Sequence, residues 1–214
     1  METEEQELEA LKSWWNENGR TVVIGVVLGL GGVFGWTTYQ QKLESDAEAL
    51  SITYQQIIEA ASQDQHDAVR AQAVSIIESS PKSGYAALGA LLAAKSAYAQ
   101  KDIDGVKNHL FWVVQNAEKT QLKDVARIRL ARVLIEENRL GEARSNLDAV
   151  ENEAFAPNVD EIRGDIRLLE GDVTGARDAY QRTLNADNVP SETRSRVQMK
   201  MDDLGVDNEN RSTS

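Results

Sequence analysis

Side chains suited to acid–base or metal chemistry are few and scattered in this sequence. The two histidines, His66 and His109, lie in the segments SQDQHD and NHLFWVV, and neither has a second ligand at metal-binding spacing. We expect His66 to be exposed in a polar turn and His109 to lie at the edge of a helix-packing face. Cysteine is absent, which excludes disulfides and thiolate metal sites. The sequence therefore predicts no catalytic site, no metal and no cofactor.

Recognition of another polypeptide is the chemistry that the sequence does favour. Tyr98 offers a large contact area with few rotamers to freeze, and Arg132 can make two parallel hydrogen bonds to a carboxylate. The predicted protein-binding groove is lined by Leu88, Leu91, Lys95, Tyr98, Ile128, Arg132, Ile135, Asp165 and Leu168, with Glu161 beside them. The alternative is that many of these residues make core contacts between neighbouring helices.

Three stretches of the form helix, short polar break, helix position these residues. They cover residues 84–115, 125–150 and 161–187, with breaks at Lys101-Asp102, Asn138-Arg139 and Gly171-Asp172. Small residues recur on the first helices (Ala94, Ala131, Gly164) and at matching places on the second helices (Val106, Ala143, Ala176). The second set is spaced by 37 and 33 residues. Because tetratricopeptide repeats have a period of about 34, the pattern predicts a degenerate tetratricopeptide-like α-solenoid, with a generic helical bundle as the alternative.

Further elements flank the three repeats. Residues 43–79 supply two more helices, and Pro81 marks the join to the first repeat. A long break is expected from Glu151 to Asn158, and a capping helix from Ser191 to Leu204, since a terminal repeat otherwise exposes an apolar face. The polar residues 205–214 are expected to be disordered.

An apolar segment near the N-terminus predicts a membrane anchor. Residues 21–41 carry no charge, and Arg20 and Lys42 bracket them. Such a helix spans roughly 31 Å, which matches the hydrocarbon core of a bilayer. A buried core helix and a cleaved signal peptide are the alternatives. The six glutamates of residues 1–20 argue against a signal peptide, whose first region is basic.

Charge bears on orientation and on partners. Lys12 and Arg20 precede the apolar segment and only Lys42 follows closely, which favours a cytoplasmic N-terminus. The net charge of −12 makes nucleic acid an unlikely partner, because phosphates would be repelled. The predicted fold class is all-α, with a single N-terminal transmembrane helix followed by a tetratricopeptide-like α-solenoid.

These features in this order resemble the YfgM-like ancillary subunits of the SecYEG translocon, over about residues 8–204. The resemblance rests on the acidic arm, the glycine-rich span ending in Gly35-Trp36, and short segments in the repeats. Those segments are Tyr85–Leu88, Arg129–Val133, Arg163-Gly164 with Gly171-Asp172, and Gln198–Met201. It implies a bacterial inner-membrane protein with a cytoplasmic acidic arm (1–20), a transmembrane helix (21–41) and a periplasmic tetratricopeptide-like domain (42–204).

The resemblance also implies partners: the SecYEG translocon and a membrane-anchored periplasmic chaperone with prolyl isomerase activity. We therefore expect a non-enzymatic adaptor that links protein export to periplasmic folding factors. Unfolded exported polypeptides are a further candidate for the groove. One alternative is a regulatory protein whose cytoplasmic arm sequesters a signalling partner. Another is a structural subunit that oligomerises through its glycine-rich span.

Overall fold

The structure, a computed structural model, describes residues 2–187 and 189–212. The side chains of residues 2–7, 10, 11, 22, 26, 43 and 206–212 lie outside this description. Regular structure in the described residues is helical throughout, which confirms the all-α prediction. The chain divides between Ser51 and Ile52 into two compact units.

The helices follow one another along the chain with short connections. They are α1 (Glu2–Ser62), α2 (His66–Ser79), α3 (Gly84–Ala99), α4 (Ile103–Asn116), α5 (Thr120–Glu136), α6 (Leu140–Asp148), α7 (Ala156–Leu169), α8 (Val173–Asn185) and α9 (Ser191–Ser212). A 3₁₀ turn, Glu153–Phe155, precedes α7.

The N-terminal unit consists of the first part of α1. Its apolar side chains are exposed, including Val27, Leu28, Phe34 and Trp36. Among the described residues, the only stretch long and apolar enough to cross a membrane lies within α1. No described residue of this unit buries that apolar surface, so a lipid environment accounts for it better than a protein core does.

The described residues of the second unit contain four helical hairpins, and a turn of the same kind joins the two helices of each. Each turn has one residue with positive φ: Asp64 at 55°, Lys101 at 60°, Asn138 at 59° and Gly171 at 83°. In each turn the next backbone N–H donates to a carbonyl five residues earlier, as from Asp102 to Ala97 at 2.9 Å. This is the Schellman arrangement, which satisfies carbonyls at a helix end. The three predicted breaks are confirmed, and a fourth hairpin of the same type joins α1 to α2.

In each hairpin, a small residue on one helix is matched by a larger residue on the other. Residues 16 apart occupy matching positions on the two helices: Ile57 and Ala73, Ala94 and Leu110, Ala131 and Leu147, Gly164 and Tyr180. Each pair combines a small residue with a larger one, and in the last pair the Tyr180 ring lies directly against Gly164. Ala143 and Ala176 are fully buried, as the repeat pattern predicts. Close packing of this kind leaves little room for added volume.

Two boundaries differ from expectation. Helix α7 begins at Ala156, so the break that was expected to reach Asn158 is shorter. Pro157 lies in the first turn of α7, where its missing N–H costs nothing. Helix α9 runs to Ser212, past the expected end at Leu204. The predicted disorder of 205–214 falls almost entirely on residues whose side chains or placement lie outside the description, and it stays a prediction.

Helix α9 closes the second unit. Val197 and Leu204 are buried in a small core with Ala176 and Tyr180 of α8. The larger core extends from α3 to α7. Without α9 the apolar face of α8 would be exposed to water, so the expected role of α9 as a capping helix is confirmed.

Candidate protein-binding groove

The first helices of successive repeats, α3, α5 and α7, carry the predicted groove residues. Three of them, Lys95 and Tyr98 of α3 and Arg132 of α5, line one pocket of about 330 Å³. Its apolar floor consists of Ala94, Val106, Leu110 and Val133, and Arg129 and Glu136 complete the rim. We call this the central pocket. The sequence prediction that Lys95, Tyr98 and Arg132 share one surface across two repeats agrees with this geometry.

A hydrogen bond crosses the mouth of the central pocket. The hydroxyl of Tyr98 donates to Oε1 of Glu136 at 3.0 Å and thereby connects α3 to α5. This bond raises the pKa of Tyr98 above its usual value, because the phenol proton is held by a carboxylate. Half of the Tyr98 side chain stays exposed, so its ring is available to a bound partner.

The cations of the central pocket are weakly neutralised. A guanidinium nitrogen of Arg129 lies 3.5 Å from the carbonyl of Leu91, and burial lowers the pKa of Arg129, with a further contribution from Arg132. Arg132 lies 3.7 Å from a carboxylate oxygen of Glu161. Within the described part of the chain, Lys95 and Arg129 form no ion pair. The pocket therefore combines an apolar floor with a cationic rim.

Helix α9 covers the groove at the last repeat. Arg196 donates to both carboxylate oxygens of Glu161 at 2.6 and 2.7 Å. Lys200 donates to Glu161 at 2.9 Å and to Asp165 at 2.7 Å, and the Tyr180 hydroxyl also donates to Asp165 at 2.7 Å. Glu161 is only 2% exposed. Its burial favours the neutral acid, but hydrogen bonds from Arg196 and Lys200 outweigh burial and lower the pKa of Glu161.

The groove predicted from the sequence needs correction at four positions. Leu91 and Ile128 belong to the core, at 6% and 5% exposure, because they lie deeper between the helices than the repeat register alone indicates. Glu161 is buried, and the carboxylates of Glu161 and Asp165 already accept hydrogen bonds from Lys200 of α9.

The remaining predicted residues are accessible in whole or in part. Lys95, Tyr98, Arg132 and Leu168 are exposed, and Leu88 and Ile135 are half-buried. Their part in binding a partner stays a prediction.

Two residues that line the central pocket, Arg129 and Glu136, were not among the predicted groove residues, and the repeat register adds two residues of α1, Tyr54 and Ile58. The last two lie 37 residues before Leu91 and Lys95, which is also the spacing of the first two hairpin turns. The rings of Tyr54 and Tyr85 are in contact, with centroids 5.5 Å apart, and Ile58 is exposed. Extending the repeat register backward by one period therefore predicts that the groove continues along α1.

The histidines do not form a site in the described residues. His109 is half-buried at a helix-packing face as expected, and its pKa is lowered by burial and by Arg70, against an opposing effect of Asp102. His66 is half-buried instead of exposed, because it begins α2 and packs at the hairpin turn. No group of three or more potential ligands gathers in the part of the chain that the structure describes.

Known proteins match the chain over most of its length. Residues 12–206 match a family described as "Tetratricopeptide repeat-like domain". A protein of Haemophilus influenzae named "Ancillary SecYEG translocon subunit" is 30% identical over 83% of this chain and 87% of its own length. Proteins of the same name from Escherichia coli and Aggregatibacter actinomycetemcomitans are 29% and 30% identical, over 96% and 94% of this chain and 98% and 97% of their own lengths.

Proposed function

We propose a function for this chain on the premise that it belongs to the family of ancillary SecYEG translocon subunits, with a tetratricopeptide repeat-like domain. It is a membrane-anchored adaptor that associates with the SecYEG translocon and binds a periplasmic chaperone through its groove. The observation that carries the proposal is the central pocket, to which two neighbouring repeats contribute Lys95, Tyr98 and Arg132.

The anchor and its orientation are part of the proposal. The exposed apolar surface of α1 supports insertion in the inner membrane. Lys12 and Arg20 on one side of the apolar segment, against Lys42 on the other, support a cytoplasmic arm and a periplasmic repeat domain.

Protease added to intact spheroplasts is expected to digest the repeat domain and to leave a protected N-terminal fragment. The reason is that a periplasmic domain is accessible from outside, whereas the span and the arm are shielded by the membrane. Immunoblotting with tags at either end measures this. A cytoplasmic protein serves as the control for lysis. Protection of the repeat domain until the cells are lysed would reverse the proposed orientation.

A binding role fits the chemistry of the central pocket better than catalysis does. Its polar rim consists of cations, one phenol and one carboxylate already bonded to that phenol. These groups suit recognition of a polypeptide. Tethering such a groove beside the translocon raises the local concentration of a bound chaperone near emerging chains, without demanding high affinity.

Changing Tyr98 and Arg132 together to alanine is expected to reduce capture of the membrane-anchored periplasmic chaperone and prolyl isomerase at least tenfold. Truncation of an interface anchor costs about 2 kcal/mol or more, and both side chains are exposed at one pocket. Crosslinking in the membrane, followed by quantification of the captured chaperone, measures the loss.

The matched control removes an aromatic and an arginine from the second helices, as Phe111→Ala with Arg144→Ala. Phe111 is as exposed as Tyr98, and Arg144 pairs with Glu170. This variant should capture the chaperone as wild type does. If the Tyr98 and Arg132 variant folds and captures the chaperone equally well, the central pocket is not the binding site.

A further inference from the structure

We propose that the central pocket recognises a carboxylate carried on an apolar segment of a partner polypeptide: an aspartate or glutamate flanked by bulky apolar side chains. The inference rests on the proposed function and names the chemistry of its ligand. It follows from three features of the pocket, namely cations that are unpaired or paired only at 3.7 Å, a carboxylate that is engaged elsewhere, and an apolar floor.

Three cations, Lys95, Arg129 and Arg132, gather at the central pocket, whereas other cations without an ion pair in the described residues, such as Lys119, lie outside it. Arg70 and Arg139 each pair with two carboxylates. In contrast, Lys95 and Arg129 have no carboxylate partner among the described residues, although the chain has a net charge of −12. Positive charge that a strongly acidic chain leaves unneutralised around one concavity is complementary to an anionic group of a ligand.

The capping helix keeps Arg132 from being neutralised. Glu161 is the acid nearest to Arg132, at 3.7 Å, but Arg196 and Lys200 hold it at 2.6 to 2.9 Å. Charge-assisted hydrogen bonds at those shorter distances are the strong ones. Among the described residues the Arg132 guanidinium donates no hydrogen bond, and its donors can bind a carboxylate in the two-bond geometry that arginine favours.

Glu136 is the one acid that lines the central pocket, and it does not cancel the charge. It accepts the Tyr98 hydroxyl at 3.0 Å and forms no ion pair with Arg129 or Arg132 in the described structure. Its contact fixes the Tyr98 ring at the mouth of the pocket. An incoming carboxylate would thus meet the cations beside Tyr98 instead of Glu136.

The apolar surroundings decide between a free anion and a segment of protein. The floor residues Ala94, Val106, Leu110 and Val133 offer nothing to a phosphate or a free carboxylate. Before the first repeat, the groove register extends to Tyr54 and Ile58 of α1, the latter exposed. A segment with apolar side chains beside its acidic residue would cover the exposed Tyr98 ring and lie over this apolar floor while its carboxylate meets Arg129 and Arg132.

The test uses the full chain in detergent micelles and two fluorescein-labelled peptides. Both peptides have the same leucine- and alanine-rich sequence and differ only in a central glutamate or glutamine. Fluorescence anisotropy should show that the glutamate peptide binds at least about tenfold more tightly, since a charge-assisted hydrogen bond is lost in the other. Added salt should reduce the difference.

Two variants assign this preference to the central pocket. Lys95→Glu reverses an exposed charge on its rim, and Arg129→Met with Arg132→Met removes both guanidiniums. Each should abolish the preference for glutamate while circular dichroism shows an intact helical domain. Lys119→Glu, the same reversal at an exposed lysine outside the pocket, should leave the preference unchanged.

Equal binding of the two peptides, no binding of either, or a preference that survives in both pocket variants would overturn the inference. These outcomes are separable from a failure of the proposed function. If the peptides bind equally but the Tyr98 and Arg132 variant still loses the chaperone, the adaptor stands and only the acidic preference falls. If the preference is present but the Tyr98 and Arg132 variant captures the chaperone as wild type does, the pocket chemistry stands. The proposed binding of the chaperone through the groove then falls.

Discussion

Replacing Arg196 and Lys200 together by methionine is expected to lower the free energy of unfolding of the repeat domain by about 3 kcal/mol. Glu161 would remain buried, with Arg132 at 3.7 Å as its nearest described cation. Removing one side of a buried ion pair strands the other charge. Removal of one partner of a buried ion pair costs about 3–5 kcal/mol. We expect the lower end of that range, because the side chains of Arg196 and Lys200 are 41% and 28% exposed and water moderates their contribution. Denaturant unfolding of the full chain, followed by circular dichroism, measures the change.

A rescue separates the stranded charge from lost packing. Adding Glu161→Met to the double methionine variant should recover most of the stability, since replacing a buried ion pair by apolar side chains is often neutral or stabilising. Arg182→Met is the control for loss of a more exposed pair, with Asp160, and should cost less than about 1 kcal/mol. If the double variant unfolds like wild type, α9 is not held to α7 by these contacts.

The same contacts explain where sequence reasoning reached its limit. Glu161 and Asp165 were correctly assigned to the first-helix face, because a repeat register is a local property of the chain. Their partners Arg196 and Lys200 come from a helix 35 residues further on. A register states which positions face a groove but not what already fills it. The cap was predicted as a helix, and its charged face was not recognised as the occupant of the last groove position.

The hairpin turns were predictable because their cause is local. Each break ends a helix with a left-handed residue and a polar successor, and the three predicted breaks were all found. Two helices were predicted within residues 43–79, but the turn between them, at Asp64, was not located, because its hairpin reverses the sizes of the packed pair. Ile57 occupies the place where the later repeats have alanine or glycine, and Ala73 the place where they have leucine or tyrosine. The total volume is retained while the small-residue signature disappears.

The depth of a side chain in the groove was also beyond the sequence pattern. Leu91 and Lys95 are one helical turn apart on α3, yet Leu91 belongs to the core and Lys95 is exposed. Burial at such positions depends on how far the neighbouring repeat leans over the helix, which is set by contacts between repeats. Leu91 therefore serves packing between repeats, whereas Lys95 at the rim of the central pocket remains available for recognition.

Gly164→Ala is expected to destabilise the repeat domain by about 1–3 kcal/mol, although alanine is the better helix former. A methyl group at Gly164 would overlap the Tyr180 ring. The ring has little freedom to move, because Tyr180 is fully buried and its hydroxyl is bonded to Asp165 at 2.7 Å. Since Asp165 also binds Lys200, a displaced ring would disturb the docking of α9.

Gly141→Ala makes the same chemical change with the opposite expected sign. Gly141 lies in α6, and a methyl group there would meet nothing within 4 Å. The free energy of unfolding of the Gly141→Ala variant should rise by about 0.5–1 kcal/mol, because alanine has the higher helix propensity. The melting temperatures of the two full-length variants are measured in parallel. Gly141→Ala gives the effect of helix propensity alone, and the difference between the variants reports the close packing of α7 against α8. A Gly164→Ala chain that melts at or above wild type, while Gly141→Ala also gains, would mean that the Tyr180 ring does not pack on Gly164. Alanine would then be tolerated at position 164, as it is at Ala94 and Ala131 in the earlier repeats. The size of the Tyr180 ring would not be the reason for glycine at this position.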